Sequence, residues 1–564
     1  MPLFNATCCL LALSAVGWGA EAKGVAELRP DFVMDADPRL EELPRPVPVF
    51  PRGCQALWLE ALARPEADLQ RLAASTIAMA HTKGMPGLIE AEPLLVKLVA
   101  AEGTQSAVRF AAARALIVLD ARTADKALFE ASQRCGGDLR PLVEPALARW
   151  SFQSIQQVWR DRLEAPSPRP RDLLLAIRGL AAVGDTSAVE RLLAIVGNTR
   201  QSPATRVAAG RAAGRLGETG LEPWAQELVD SRESIADRLC AVGLLSRHRS
   251  SAAQTLLARL AQDPEPSVAA AALTCLNGID PDLVLPLAES AMQSGDPQVR
   301  KQGAAAYAAR PTSERAVYLA KLLDDPHPDV RGSVREQLLH LSQIPECNVP
   351  IRGAAMALLA NDRWRGQEQA ALLLADLDHK PAASGMVALL ESPRGEVMVA
   401  AAWGLRKLAV AETLPVLLDK AIRQTDVRTH TLAGKALDLQ VAHLFEAMAV
   451  MKYAPAEALW RKYIPKEPAL GEYSRGAAIW ALGRLYAGKF DDSLSKLLVA
   501  RLIDPAPPPM EPAEFMRVRV MCAIALGRMG AVSQVERMRR YMGPRVTPLP
   551  SSLAIRWAVK EMTG

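Results

Sequence analysis

The chain has 564 residues, half of them hydrophobic and only 5% aromatic, with a formal net charge of +5. That length is several times what one hydrophobic core needs, so the chain either divides into domains or extends as a repeat array. Much of the apolar content is Ala, Leu and Val, which argues for helices over the strand-rich sandwiches and barrels; no segment has the composition of a collagen, a low-complexity tail or a disordered charge block.

Residues 1–22 read as a secretory signal. Asn5 to Ala20 carries no charge and holds the apolar run Cys8-Cys9-Leu10-Leu11-Ala12-Leu13, followed by the small-residue pattern Ala20-Glu21-Ala22 where cleavage is expected. Met1 to Thr7 lacks the usual Lys or Arg, which keeps open a misplaced start or a buried first helix. No later segment is long and apolar enough for a bilayer span. The expected location is therefore periplasmic or secreted, with an anchored form only if the segment is retained, and cytoplasmic if it is no signal. Residues 23–55 form a Pro-rich arm or linker. Pro30, Pro38, Pro44, Pro46, Pro48 and Pro51 forbid a continuous helix there. The stretch is either an extended arm lying on the first repeats or a tether.

From residue 56 to 564 the chain repeats itself. "GDPQVRKQGAAAYA" from Gly295 and "DDPHPDVRGSVREQL" from Asp324 place Val299 and Val330 31 residues apart, and a further step of 31 reaches Val268 in "QDPEPSVAAAALTCL". Weaker copies surround Val108, Val207, Val399, Ala477 and Val518. In each copy Asp-Pro or Ser-Pro opens a helix, with Asp or Ser capping free N–H groups and Pro tolerated in the first turn. An apolar stripe at helical spacing follows, such as Val299, Gly303, Ala306 and Tyr307. A second amphipathic helix closes the unit, as in Ala316, Leu319, Ala320 and Leu323. Neither helix buries its stripe alone, so the units must stack.

The string Asp296, Pro297, Val299, Arg300, repeated as Asp325, Pro326, Val330, Arg331, resembles the HEAT-like repeats named after phycobilisome lyase subunits. The resemblance covers roughly residues 60–560, on the order of 14 helix pairs at the family's usual length. It implies an all-α fold, an α-solenoid (superhelix) of stacked antiparallel helix pairs, and says little about function. The tetratricopeptide pattern is absent. Irregular breaks are expected near 343–370, where "NDRWRGQEQ" replaces a short turn, and near 504–512, in "DPAPPPMEP".

No chemical constellation emerges. The seven histidines are dispersed, none is followed by Glu, and this excludes the zincin helix and the His-Glu pairs of HEAT-repeat deoxyhypusine hydroxylases. His327, between two prolines, suits a capping or solvated role. "GRAAGRLGETG" from Gly210 belongs to a repeat helix rather than a phosphate loop. The six cysteines after residue 22 are far apart, with no C-x-x-C pair, and Cys240 and Cys275 suit small buried hydrophobes. The paired carboxylates Asp324-Asp325 and Asp491-Asp492 fall at helix boundaries, where capping accounts for them. No residue is assigned a catalytic, cofactor-binding or metal-ligating role.

Two basic features were weighed. Arg109, Arg206, Arg300, Arg331 and Arg519 recur near helix starts, as a ladder open to anions or, the reading favoured, as inter-repeat hydrogen bonds to the preceding Asp and exposed carbonyls. Lys452 to Gly564 contains 18 Lys and Arg against 10 Asp and Glu, a net of +8, which leaves −3 for residues 1–451. In that basic end Trp460, Arg461, Lys462 and Tyr463, then Arg537, Arg539, Arg540 and Arg545, interleave aromatics with cations as a candidate surface for a polyanion or partner.

These features predict a non-catalytic scaffold that binds a protein partner along a curved face, with an anionic surface or glycan as a further partner. An enzyme-accessory role of the lyase type is the first alternative, resting on fold analogy alone. Nucleic-acid binding through the basic end, as in HEAT-like DNA glycosylases, is the second, and an export signal argues against it.

Overall fold

The computed structural model describes residues 31–40, 50–51, 53–166, 168–217, 219–230, 234–425, 432–466, 471–504, 514–543 and 549–564. The signal expected at 1–22 and the Pro-rich stretch 41–49 lie outside them. Among the described residues thirty α-helices follow one another from Cys54 to Thr563, and they pair off as fifteen antiparallel hairpins. Among the described residues there is no strand. The second helix of each pair packs directly on the second helix of the next along the whole chain, while most of the first helices are more widely separated, Ser313–Ala320 and Pro345–Leu359 being an exception. The second helices therefore form the inner, concave layer of a superhelix.

The repeat string explains each start. Asp296 caps the Pro297–Ala309 helix, accepting the N–H groups of Gln298 at 2.8 Å and Val299 at 3.1 Å. Ser202 caps Pro203–Leu216 in the same way. His327 caps Pro328–Leu341 through its ring, which accepts from the Asp329 N–H. Val268, Val299 and Val330 are all buried one turn inside their helices. Replacing Asp296 with Ala is expected to cost about 1 kcal/mol, the usual value of such a cap, read as a lower denaturation midpoint with an unchanged far-UV spectrum.

Three weaker copies sit in a different register from the one expected. Counting from the helix start, the valine slot is filled by Thr205 rather than Val207, by Val397 rather than Val399, and by Ser474 rather than Ala477. Thr205, Val397 and Ser474 are buried, whereas Val207 is only half-buried. The stretch 343–370, expected to be a break, is a complete pair, Pro345–Leu359 and Trp364–Asp376. Its spacing is stretched because the outer helix is unusually long at 15 residues. The break expected near 504–512 falls, beyond Asp504, outside the described residues. All six described cysteines are free thiols, with Cys240 buried and Cys275 partly so.

The core runs in two stretches, from Leu62 to Ala306 and from Ala288 to Val559, which meet at the pair Leu285–Met292 and Pro297–Ala309. The second stretch includes two residues from far outside the repeats, Phe32 and Met34. The segment 31–40, expected to lie on the first repeats if it was an arm, lies on the last ones. Leu40 packs against the C-terminal core and Phe50 against the N-terminal one.

Candidate binding groove

Four consecutive inner helices hold the segment: Gly395–Leu408, Leu432–Val450, Glu472–Leu485 and Met516–Arg528. Two of them carry a tryptophan with an arginine one turn later, Trp403 with Arg406 and Trp480 with Arg484. Spacings of three and four put each pair on one helix face. The guanidinium carbons lie 5.8 Å from the Trp403 ring and 5.0 Å from the Trp480 ring, within cation–π range.

Both indoles spend their N–H on the segment. Trp403 Nε1 donates to the Asp31 carboxylate at 2.9 Å, and Trp480 Nε1 donates to the Asp37 carbonyl at 2.7 Å. Arg406 donates to the Asp31 carbonyl at 2.5 Å and to Glu446 at 2.8 Å. The other oxygen of the fully buried Glu446 accepts the Met34 N–H at 2.8 Å. The Asp37 carboxylate bridges Arg484 at 2.6 Å and Arg528 at 2.7 Å, and Asp35 pairs with Arg517.

Apolar anchors complete the grip. Phe32, 5% exposed, stacks on His443 at 4.5 Å and on Tyr473 at 5.3 Å, with Arg517 5.6 Å from its ring. Met34, 1% exposed, reaches the wall beside Gly476, where a Cβ would stand 3.5 Å from its sulfur. Burying a residue of each size stabilises by roughly 1.5–3 kcal/mol before chain entropy is charged.

Electrostatics follow the burial. Burial alone lowers the Arg517 guanidinium, but the hydrogen bond and charge of Asp35 outweigh it and leave that group above its ordinary range. For Arg528 burial is also the largest influence; it prevails over Asp37, with the neighbouring Arg484 adding to it, and the group sits below its ordinary range. These cations depend on the segment's acids to be tolerated where they are.

The arginines singled out in the sequence stand elsewhere. Each reaches back from an inner helix to the carbonyls that end the preceding outer helix or follow it, groups a helix cannot satisfy itself. Arg109 donates to the carbonyls of Val99 and Ala101, Arg206 to Val196, Arg519 to Leu502, and Arg300 to Ser294 and Gly295. Arg300 also holds Asp325 through two bonds of 2.6 and 2.7 Å, and Arg331 donates to the Asp325 carbonyl at 2.9 Å. The carboxylate partner of Arg300 thus comes from the following repeat, because the preceding Asp296 is used as the helix cap. Arg475, which the misread register hid, occupies the same place.

The basic end is divided. Trp460 and Tyr463 are each 1% exposed and face the core, since a spacing of three puts both on the inward side of their turn. Arg461 is held by Glu457, Tyr486 and Asp491. Lys462, Arg537, Arg539 and Arg540 are exposed, with Arg539 paired to Glu536, and Arg545 lies outside the described residues. The interleaved aromatic and cationic surface expected at Trp460 to Tyr463 is therefore not formed. The groove residues Trp403, Trp480, Arg484 and Arg528 were missed, although "AAWGLRKL" and "AIWALGRL" place the same pair late in two inner helices.

A family model described as HEAT repeats matches residues 253–339. The solved structure of Kap95p with RanGDP superposes with a TM-score of 0.55 at 15% identity, covering 90% of this chain and 72% of that one. The fold is a HEAT-type α-solenoid. Kap121p bound to Nup53p gives a TM-score of 0.50 at 13% identity, covering 91% of this chain and 57% of that one. At such identities the likeness is one of fold. No curated protein matches the sequence.

Proposed function

We propose that this solenoid is a non-catalytic protein-interaction scaffold, exported from the cytoplasm, that holds extended segments of partner proteins along the inner groove of its last repeats. The observation that carries the reading is the groove's own content. A short stretch of chain lies across four repeats, held by side chains that reach it from every one of them. Solenoids bind through long concave surfaces of this kind, and extended segments gain specificity from alternating pockets and charge pairs. Kap95p binds RanGDP and Kap121p is bound to Nup53p in the two similar structures, which supports protein binding as a use of the fold. Export rests on the uncharged stretch Asn5 to Ala20 and the small residues after it.

A photo-cross-linking amino acid at Lys407, beside the groove, tests the binding role in the native host. Protein adducts are expected there, and none at Glu314 on an outer helix. Adducts confined to the outer position, or none at all, would overturn the scaffold reading. Sequencing the mature N-terminus tests export: a start near residue 21 or 23 is expected, and a chain that keeps Met1 removes it.

A further inference from the structure

Resting on that reading, we infer that the segment 31–40 is a displaceable stand-in for a partner. The groove recognises, in trans, an acidic segment of another protein that can form the same short 3-10 turn, with an aromatic and a second apolar anchor set among aspartates, of the type Asp-Phe-x-Met-Asp-x-Asp.

Charge complementarity is the first argument. Arg406, Arg484, Arg517 and Arg528 crowd one face, while Glu446 pairs with Arg406 alone among them. Asp31, Asp35 and Asp37 meet the four cations with three carboxylates. A segment whose only task was to seal a core would need apolar contacts alone; here the anchors Phe32 and Met34 are joined by charge pairs and by two indole N–H groups. The second argument is what the segment leaves undone. Arg484 Nε, Arg517 Nε and Arg528 Nη1 are buried donors without an acceptor. A buried donor left unmade is costly, so a ligand with further carboxylates along the same path satisfies the groove better than the chain's own segment does. The third is local independence. The stretch keeps only two backbone hydrogen bonds of its own, Asp35 N–H to the Phe32 carbonyl and Ala36 N–H to the Val33 carbonyl. These bonds close one short 3-10 turn, Val33–Asp35, so release of the segment costs a single local turn and breaks no α-helix.

The test uses the full chain carrying Phe32→Ala and Asp37→Ala, and a fluorescent peptide with the sequence of residues 31–40. By anisotropy the peptide is expected to bind this variant at least tenfold more tightly than it binds the wild-type chain, whose tethered copy competes at high effective concentration. Replacing Asp35 and Asp37 of the peptide by Asn is expected to weaken binding at least tenfold, and raised salt to weaken it further. If the double variant loses its far-UV helix signal, the milder Asp37→Asn serves with the same readout. A peptide that binds no folded variant sinks the inference. So does light scattering that finds the wild-type chain dimeric through exchanged segments, since the occupant is then a second copy. The two readings fail separately. Lys407 adducts that excess peptide does not displace leave the scaffold standing and remove this inference. Peptide binding without any Lys407 adduct removes the scaffold reading and, with it, the partner in trans, leaving the groove to the chain's own segment.

Discussion

Replacing Gly214 with Val is expected to destabilise the N-terminal half of the solenoid by about 3 kcal/mol or more. Gly214 lies on the inner helix Pro203–Leu216, which crosses its neighbour Ile235–Leu245 at a point of glycine-to-glycine contact. A Cβ at Gly214 would overlap the Gly243 carbonyl oxygen and stand 2.5 Å from that of Leu244. One at Gly243 would stand 2.9 Å from the Arg211 nitrogen. These neighbours are backbone atoms and cannot swing aside, so the helices themselves must part. Overpacking costs about 1–3 kcal/mol even where side chains can yield. Gly332 supplies the contrast, because it is in a helix with nothing within 4 Å of its would-be Cβ. Gly332→Ala is expected to stabilise by about 0.5–1 kcal/mol through helix propensity alone. Urea midpoints for both variants check the pair; equal shifts would mean that the helices do not meet as closely as described.

The second large effect is expected at Arg475, which is 1% exposed. Its guanidinium holds Glu514 through bonds of 2.6 and 2.8 Å and donates to the Tyr463 and Ile464 carbonyls at 3.3 Å. Arg475→Ala leaves the buried Glu514 carboxylate with Arg501 at 3.9 Å as its one cation, and removing the close partner of such a pair costs about 3 kcal/mol. Adding Glu514→Gln removes the stranded charge and is expected to recover part of the loss. Because repeats unfold piecewise, hydrogen exchange across residues 457–502 is the direct measurement. Protection unchanged from wild type would refute the assignment.

How far the sequence revealed this molecule depends on the range of each interaction. Val268, Val299 and Val330 mark the repeat because a helix pair is a local object whose period is written in adjacent residues. Asp296 as cap and His327 as cap were legible for the same reason. The glycines at 210 and 214 read correctly as part of a helix, but their close contact with Gly243 needed the neighbouring repeat. Trp460 and Tyr463 misled because cationic neighbours suggested a surface, although a spacing of three on an otherwise apolar turn already pointed inward. The groove was the hardest part. Asp31 and Arg406, or Asp37 and Arg528, are joined by no periodicity, only by charge and shape across nearly the whole chain. One residue type carries two roles here. Arginine in the fourth place of an inner helix, such as Arg300 or Arg475, closes the helix before it, while Arg406, Arg484 and Arg528 near helix ends, together with Arg517 at a helix start, face the groove.

Leu40 packs on the C-terminal stretch of the core and Phe50 on the N-terminal stretch. Ten peptide units join them, which reach about 36 Å at full stretch whatever path residues 41–49 follow. A stack of repeats behaves as a spring, since each joint flexes almost independently of the rest. With the segment docked this spring has a fixed stop: the two points of attachment cannot draw apart beyond the tether, and any joint between them that opens must be offset by others that close. Undocking removes the stop, so occupancy of the groove sets the range of curvature open to the molecule.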